Sequence, residues 1–276
     1  MGTAIRKNTP ELTSYDLLKT LAVLLMVADH IGYYFYPEQM WWRVFGRLCV
    51  PVWFFLIGYA GTRPIPKSFW IGGVILALAN VVMGGYVFPL SILFGLSLTR
   101  LWIDGIMHRA LRGYEAFSGM VFMMILLAYP AGALVEYGTI GVLFAMLGFV
   151  RARKEAMRIG FWPLVGFVAV SALTYMVSQL LLFPTLTGGQ FLVFCTGLAA
   201  IIVWLFHFSP RIFPGFSRVG GVMLPILKLT GRHTLAIYIL HILLLKAFAM
   251  LLRPEAFGFF SFSWMPPGSL SLFLSP

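Results

Sequence analysis

The chain has 276 residues, of which 60% are hydrophobic and only 11% charged, with a net charge of +11. Soluble domains are nearer half apolar and a quarter charged, so this composition excludes an ordinary soluble domain and points to a polytopic membrane protein. The basic excess would suggest nucleic acid in a soluble protein, but the cations fall mostly in short connections between apolar runs. That placement assigns them to topology and anionic lipid, not to nucleic acid.

In chain order, the opening MGTAIRKNTPELTSYD is polar, and no small-residue cleavage site follows the first apolar run, so no cleavable signal peptide is expected. Gly2 follows Met1, but Arg6 stands where myristoylation needs Ser or Thr. A helix crossing the hydrocarbon needs about 20 apolar residues, with roughly 17 the lower limit. Nine segments are read as spans: 17–36, 44–60, 69–87, 88–103, 116–134, 136–150, 160–183, 190–208 and 233–252. The stretch 219–230, VGGVMLPILKLT, is a tenth partial span or a re-entrant piece, and Pro51, Pro130 and Pro225 are each placed to break a helix.

The even connections carry Arg63 and Lys67; Arg109 and Arg112; Arg151, Arg153, Lys154 and Arg158; and Arg211, Arg218 and Lys228. The connections after the third, fifth and seventh spans have no Lys or Arg. This alternation predicts a cytoplasmic N-terminus. The fold class expected is therefore all-α, a polytopic transmembrane helix bundle of nine or ten spans. Residues 1–252 form one integral-membrane domain, and the aromatic, Pro/Ser-rich tail 253–276 is too short to span and has no assigned function. Cys49 and Cys195 lie in apolar stretches and read as free buried thiols.

Charges near a bilayer centre cost on the order of 2.5–3.5 kcal/mol each, so Asp29, Arg47 and Lys246 must face the bundle interior, face water or snorkel. On the first span Lys19, Val23, Met26 and His30 form one stripe, with Asp16 and Asp29 flanking it. Eleven residues separate Lys19 from His30 by roughly 16 Å. That is comparable to an extended pantetheine arm, so a cation at the mouth and a base deep inside suit a phosphorylated acyl carrier. Arg47, early in the second span, sits at a depth similar to Asp29 and His30. In the last span, GRHTLAIYILHILLLK, His241 falls near mid-membrane with Thr234 and Tyr238 on its face. His30, Asp29, Arg47 and His241 are expected to converge from three spans. The plainer reading is a buried Asp29–Arg47 ion pair and packing histidines that only fix the helices. Asn80, Tyr175 and Gln179 suit interhelical hydrogen bonds; His108 and His207 are read as interfacial. No histidine pair at i, i+4 accompanies a carboxylate, so no metal is expected.

The stretch LLKTLAVLLMVADHIGYYFYP followed by RVFGRLCVPVWFFLIGYAGT resembles the TraX-type family of membrane acetyltransferases, whose hallmarks are an LK…MxxDHIG segment and a GR-x-x-x-P segment opening the next helix. EYGTIGVLF at 136–144 is similar to that family's YGxxGvL segment. GRHTLAIYILH at 231–241 is similar to the closing helix of the wider inner-membrane acyltransferases, including the heparan-glucosaminide acetyltransferase type. Asp16-x-x-Lys19 and then His30 match that group's D-x-x-R-x(10)-H pattern, with Lys in place of Arg and so without the bidentate fork.

The resemblance implies a multi-pass protein of the bacterial inner membrane that moves an acetyl group from cytosolic acetyl-CoA to an amine or hydroxyl. The acceptor would be a pilin N-terminus or an extracytoplasmic glycan; an oligomer is left open. It implies His30 as general base, a role suited to imidazole. Asp29 would anchor Arg47 or His241, and Arg47 or the Tyr238 hydroxyl would stabilise the oxyanion. Lys19, with Arg232 and His233, would meet the donor's phosphate end. His241 is left as a second base, an acyl carrier or a packing residue. A Cys49 acyl-enzyme is disfavoured, because a thiol in apolar surroundings is a poor nucleophile. The alternatives are a small-solute or lipid-linked transporter using Asp29, Arg47 and His241 as a substrate or proton site, and a structural assembly partner.

Overall fold

A computed structural model describes residues 11–60, 64–153, 159–214 and 221–266. Gly2, Arg6, Arg63, Lys154, Arg158, Arg218 and the tail past 266 lie outside those residues. The described chain is helical apart from a two-residue antiparallel ladder and two isolated bridges. It divides into two compact units: residues up to Trp53 with Phe183–Leu245, and Phe54–Leu182 with the residues from Lys246 onward.

In the first unit, helix α1 (Ser14–Phe35) starts at a capping box. The Thr13 hydroxyl accepts from the Asp16 amide, and the Asp16 carboxylate accepts from the Thr13 amide at 3.0 Å. A nearly continuous apolar run carries the helix to Phe35, and Pro37 stops it. Strand β1 (Leu12–Thr13) pairs with β2 (Ile212–Phe213), and the Ser14 amide donates to the Arg211 carbonyl, which ties the start of α1 to the segment past α10 (Gly188–Phe206). Helix α2 (Trp41–Gly46) packs along α1. Helix α3 (Cys49–Tyr59) begins after a break at Arg47–Leu48. The break has a cause: Pro51 cannot donate back to the Arg47 carbonyl, and its ring crowds it.

The second unit contains α4 (Lys67–Val82), α5 (Ile92–Ala110), α6 (Tyr114–Leu126), α7 (Ala128–Leu134), α8 (Gly138–Ala152) and α9 (Phe161–Leu182). Its core is α8, buried without interruption from Ile140 to Val150. Glycines let backbones meet there. A Cβ on Gly148 would lie 2.1 Å from the Phe55 carbonyl oxygen, and one on Gly58 would lie 1.8 Å from that of Ala145. Gly148→Val is therefore expected to lower stability by about 1–3 kcal/mol through overpacking. Gly166→Ala, with nothing near its added methyl, should leave the thermal midpoint in detergent unchanged. Equal midpoints for both would refute this close packing.

The span count needs correction. Among the described residues, four helices are long and apolar enough to cross a membrane: α1, α9, α10 and α12 (Thr234–Leu252). A fifth exists if α6 and α7, bent by 52°, form one broken span. The nine- or ten-span reading, and the cytoplasmic N-terminus derived from it, are not supported by these helices. Each lost span has a reason. The 44–60 run is split at Arg47–Leu48, one turn before Pro51, and the 116–134 run bends where Pro130 opposes the Leu126 carbonyl. The 69–87 and 136–150 runs form helices of only 16 and 15 residues. The 88–103 run continues as α5 through Asp104, His108 and Arg109, which makes it too polar. The 219–230 stretch is largely the amphipathic ten-residue helix α11 (Met223–Arg232), with Pro225 in its first turn.

Two polar features hold the second unit's periphery. Buried Lys246 donates to the Asn80 side chain, the interhelical bond expected of Asn80, and Asn80 in turn donates to the Tyr86 carbonyl. The described tail residues bond to the loop after α4: the Val87 and Phe88 amides donate to the Ser263 and Trp264 carbonyls. Gly84, at φ +74°, lets Gly258 approach, since a Cβ there would lie 2.0 Å from the Gly258 carbonyl oxygen. Tyr175, expected to hydrogen-bond between helices, is wholly buried with its ring edge-on to Phe144.

Candidate active site

Every predicted site residue belongs to the first unit. His30 lies on the fifth turn of α1 and His241 on the second turn beyond the start of α12. Their rings meet: His30 Nδ1 is 2.8 Å from His241 Nε2. His241 Nδ1 is 2.7 Å from the Ile237 carbonyl oxygen. A carbonyl only accepts, so His241 Nδ1 carries a proton and its Nε2 presents a lone pair. His30 must then donate from Nδ1, and neutral His30 is left with its lone pair on Nε2. The chain of bonds thus selects one tautomer of His30, with a basic nitrogen directed away from His241. Buried Tyr238, one turn before His241, completes the cluster, with ring centroids 6.1 Å from His30 and 5.9 Å from His241.

Asp29 turns to α2 instead. Adjacent helical residues point about 100° apart, so His30 faces α12 while Asp29 does not orient it. Asp29 is only 7% exposed. Its Oδ1 lies 3.0 Å from Arg43 Nη1 and 3.5 Å from Arg47 Nε. Oδ1 forms no aligned hydrogen bond, so the pairing is chiefly electrostatic. Arg43 also donates to the Asp29 carbonyl at 3.4 Å and stacks on Tyr33, while both guanidiniums lie over Phe183. Gly46 makes this possible: a Cβ there would come within 2.3 Å of the Asp29 Cβ. The expected Asp29–Arg47 contact is present. Asp29 anchors arginines and not His241.

Arg43 was missed in the sequence, where only its spacing of four before Arg47 in RVFGR carried a signal. Two arginines share one carboxylate, so the group has an excess positive charge.

The other expected residues sit at the far end of α1. Lys19 is half-buried, about 16 Å along the helix from His30. Arg232 lies 3.6 Å from the Asp16 carboxylate and donates to the Glu11 carbonyl at 3.0 Å. Asp16 is therefore both a helix cap and the anchor of Arg232. Gly231 permits the approach, since its Cβ would fall 2.7 Å from the Asp16 Cα. His233 occupies the single-residue break between α11 and α12, where it is exposed. So the structure brings His30, His241 and Tyr238 together, places Asp29, Arg43 and Arg47 beside them, and leaves Lys19, Arg232 and His233 at the opposite end. Cys49 is buried as a free thiol; Cys195 is also free but only half-buried. Among the described residues no three His, Cys, Asp or Glu side chains gather as a metal site.

Helices of membrane length that enclose a histidine pair and a carboxylate shared by two arginines define an integral membrane protein with a polar site among its helices. Residues 14–248 match the family described as TraX protein, and the chain belongs to that family. It is similar to an uncharacterized protein of Rickettsia prowazekii (strain Madrid E), 33% identical over 144 residues, covering 52% of this chain and 58% of that protein. It is also similar to the Protein TraX of Escherichia coli, 26% identical over 221 residues, covering 75% and 86% of the two chains. The first match spans less than two thirds of its relative's length. No solved structure matches.

Proposed function

We propose that the protein is a membrane acetyltransferase that moves an acetyl group from acetyl-CoA to an amine or hydroxyl, of a pilin-type peptide or an extracytoplasmic glycan. Family membership supports the reaction class, and the 2.8 Å His30–His241 bond is the observation that carries the mechanism. As the acceptor attacks the thioester carbonyl, its proton passes to His30 Nε2. His241 stays neutral and, by accepting from His30 Nδ1, stabilises the imidazolium that forms. The excess charge of Arg43 and Arg47 over Asp29 favours the tetrahedral oxyanion. When the carbon–sulfur bond breaks, His30 returns the proton to the leaving thiolate. Lys19, with Arg232 and His233 near it, receives the donor's phosphate end, which the distance along α1 suits.

The relatives are bacterial, and the apolar helices fit a bacterial inner membrane.

The test is acetyl-CoA binding and slow hydrolysis by purified protein in lipid and in detergent. Lys19→Ala should weaken binding about tenfold, the loss of one charged contact. His30→Ala should bind normally and not turn over. If the intact protein binds no acetyl-CoA in either medium, the transporter reading replaces this one.

A further inference from the structure

The second unit carries a basic cleft that the acetyl-transfer reading does not use. Asp104 and His108 lie four residues apart near the end of α5 and share one face, and Arg112 follows in the turn after the helix; all three line the cleft. Phe149 and Arg153, from the end of α8, form the opposite wall, and the cleft holds about 500 Å³. Arg153 is held across it. Its guanidinium lies 3.8 Å from the Phe149 ring centroid, and its Nη2 is 3.7 Å from the Asp104 carboxylate. Arg109, next to His108 in the chain but outside the lining, donates to the Gly105 carbonyl and adds a further cation to this end of α5.

The carbonyl ends of α5 and α8 offset part of this charge, at about half a charge per helix. Arg112 and Arg153 in the lining, with Arg109 on the adjoining end of α5, still outnumber the single Asp104 carboxylate. One turn back along α5, Leu101 and Trp102 are 58% and 55% exposed. A Trp beside an apolar side chain, just before a run of cations, is the pattern of a bilayer interface. Basic pockets at that depth recognise lipid phosphates.

We propose that this cleft seats a phosphate group, and that its ligand is the headgroup of an anionic phospholipid. Arg112 and Arg153 meet the phosphate from the two walls, and Asp104 holds Arg153 in place without neutralising the site. The two arginines recognise the phosphate, which a soluble nucleotide also carries, so the test separates the two sources.

The whole protein is placed in phosphatidylcholine nanodiscs doped with phosphatidylglycerol, and retained lipid is counted by native mass spectrometry. Arg112→Gln and Arg153→Gln should each reduce phosphatidylglycerol retention about fivefold, and the pair more than tenfold, given about 1 kcal/mol per basic residue near an anionic surface. Arg211→Gln, in the first unit, should change nothing. Arg112→Lys should keep most of the retention, which separates lost charge from lost fold. In pure phosphatidylcholine discs, ADP is the soluble probe. ADP binding that the double variant loses would keep the phosphate site and transfer it to a soluble ligand. Retention equal in all variants with no ADP binding, or loss that Arg211→Gln reproduces, overturns the proposal. Acetyl-CoA binding at the first unit is read separately, so neither result stands in for the other.

Discussion

His241→Leu is expected to lower acetyl-transfer turnover about 100-fold while leaving acetyl-CoA binding unchanged. Leucine removes the lone pair that accepts from His30 Nδ1, so His30 loses both its tautomer selection and the partner that stabilises its charged form. His30→Ala removes the base itself, and the loss should fall in the 10²–10⁴-fold range for a positioned base. The two losses should not add, because His241 acts only through His30. His241→Gln supplies a carbonyl oxygen that accepts the same proton, and part of the rate should return. A merely packing role for His241 predicts no such order, with leucine tolerated as well as glutamine. Steady-state turnover with a fixed acceptor, alongside the donor's Kd for each variant, decides between them.

Asp29→Asn is expected to destabilise the protein by about 3–5 kcal/mol, the cost of leaving buried charge uncompensated. The side chains of Asp29, Arg43 and Arg47 are only 10%, 11% and 16% exposed, so solvent screens them little. The substitution would leave two guanidiniums facing each other across a neutral amide. Arg43→Gln or Arg47→Gln alone should cost far less, because one cation then still balances the carboxylate. Thermal unfolding in a single detergent, with the three variants side by side, reads this asymmetry. If the aspartate variant unfolds no earlier than the arginine variants, Asp29 is not the common anchor.

Much of this site was legible because the membrane makes polarity conspicuous. A charged or imidazole side chain inside an apolar run needs a reason, and Asp29, His30, Arg47 and His241 each stood out on that ground. Helical spacing then placed Lys19 and His30 on one stripe at a computable separation. Arg43 did not stand out, because it lies in a short connection between the runs as read from sequence, where a cation is unremarkable. The charge-bearing α5 is the reverse case: its apolar start was visible, but its continuation past Asp104 was not, since a hydropathy run does not say where a helix stops.

By itself the sequence determined an apolar, helical, membrane-borne chain, its set of buried ionisable residues, and the motifs that tie it to its family. Those are local or compositional properties, set by hydropathy, by period and by residue identity. Tertiary structure alone decided that His30 faces His241 while Asp29 turns to two arginines. A rotation of about 100° per residue sends neighbours to different helices, and only the packing of Gly46 against Asp29 and of α12 against α1 determines which helix each one meets. It also decided the number of membrane-length helices, because Pro51 and Pro130 break backbone bonds at points where the apolar character of the chain continues unchanged.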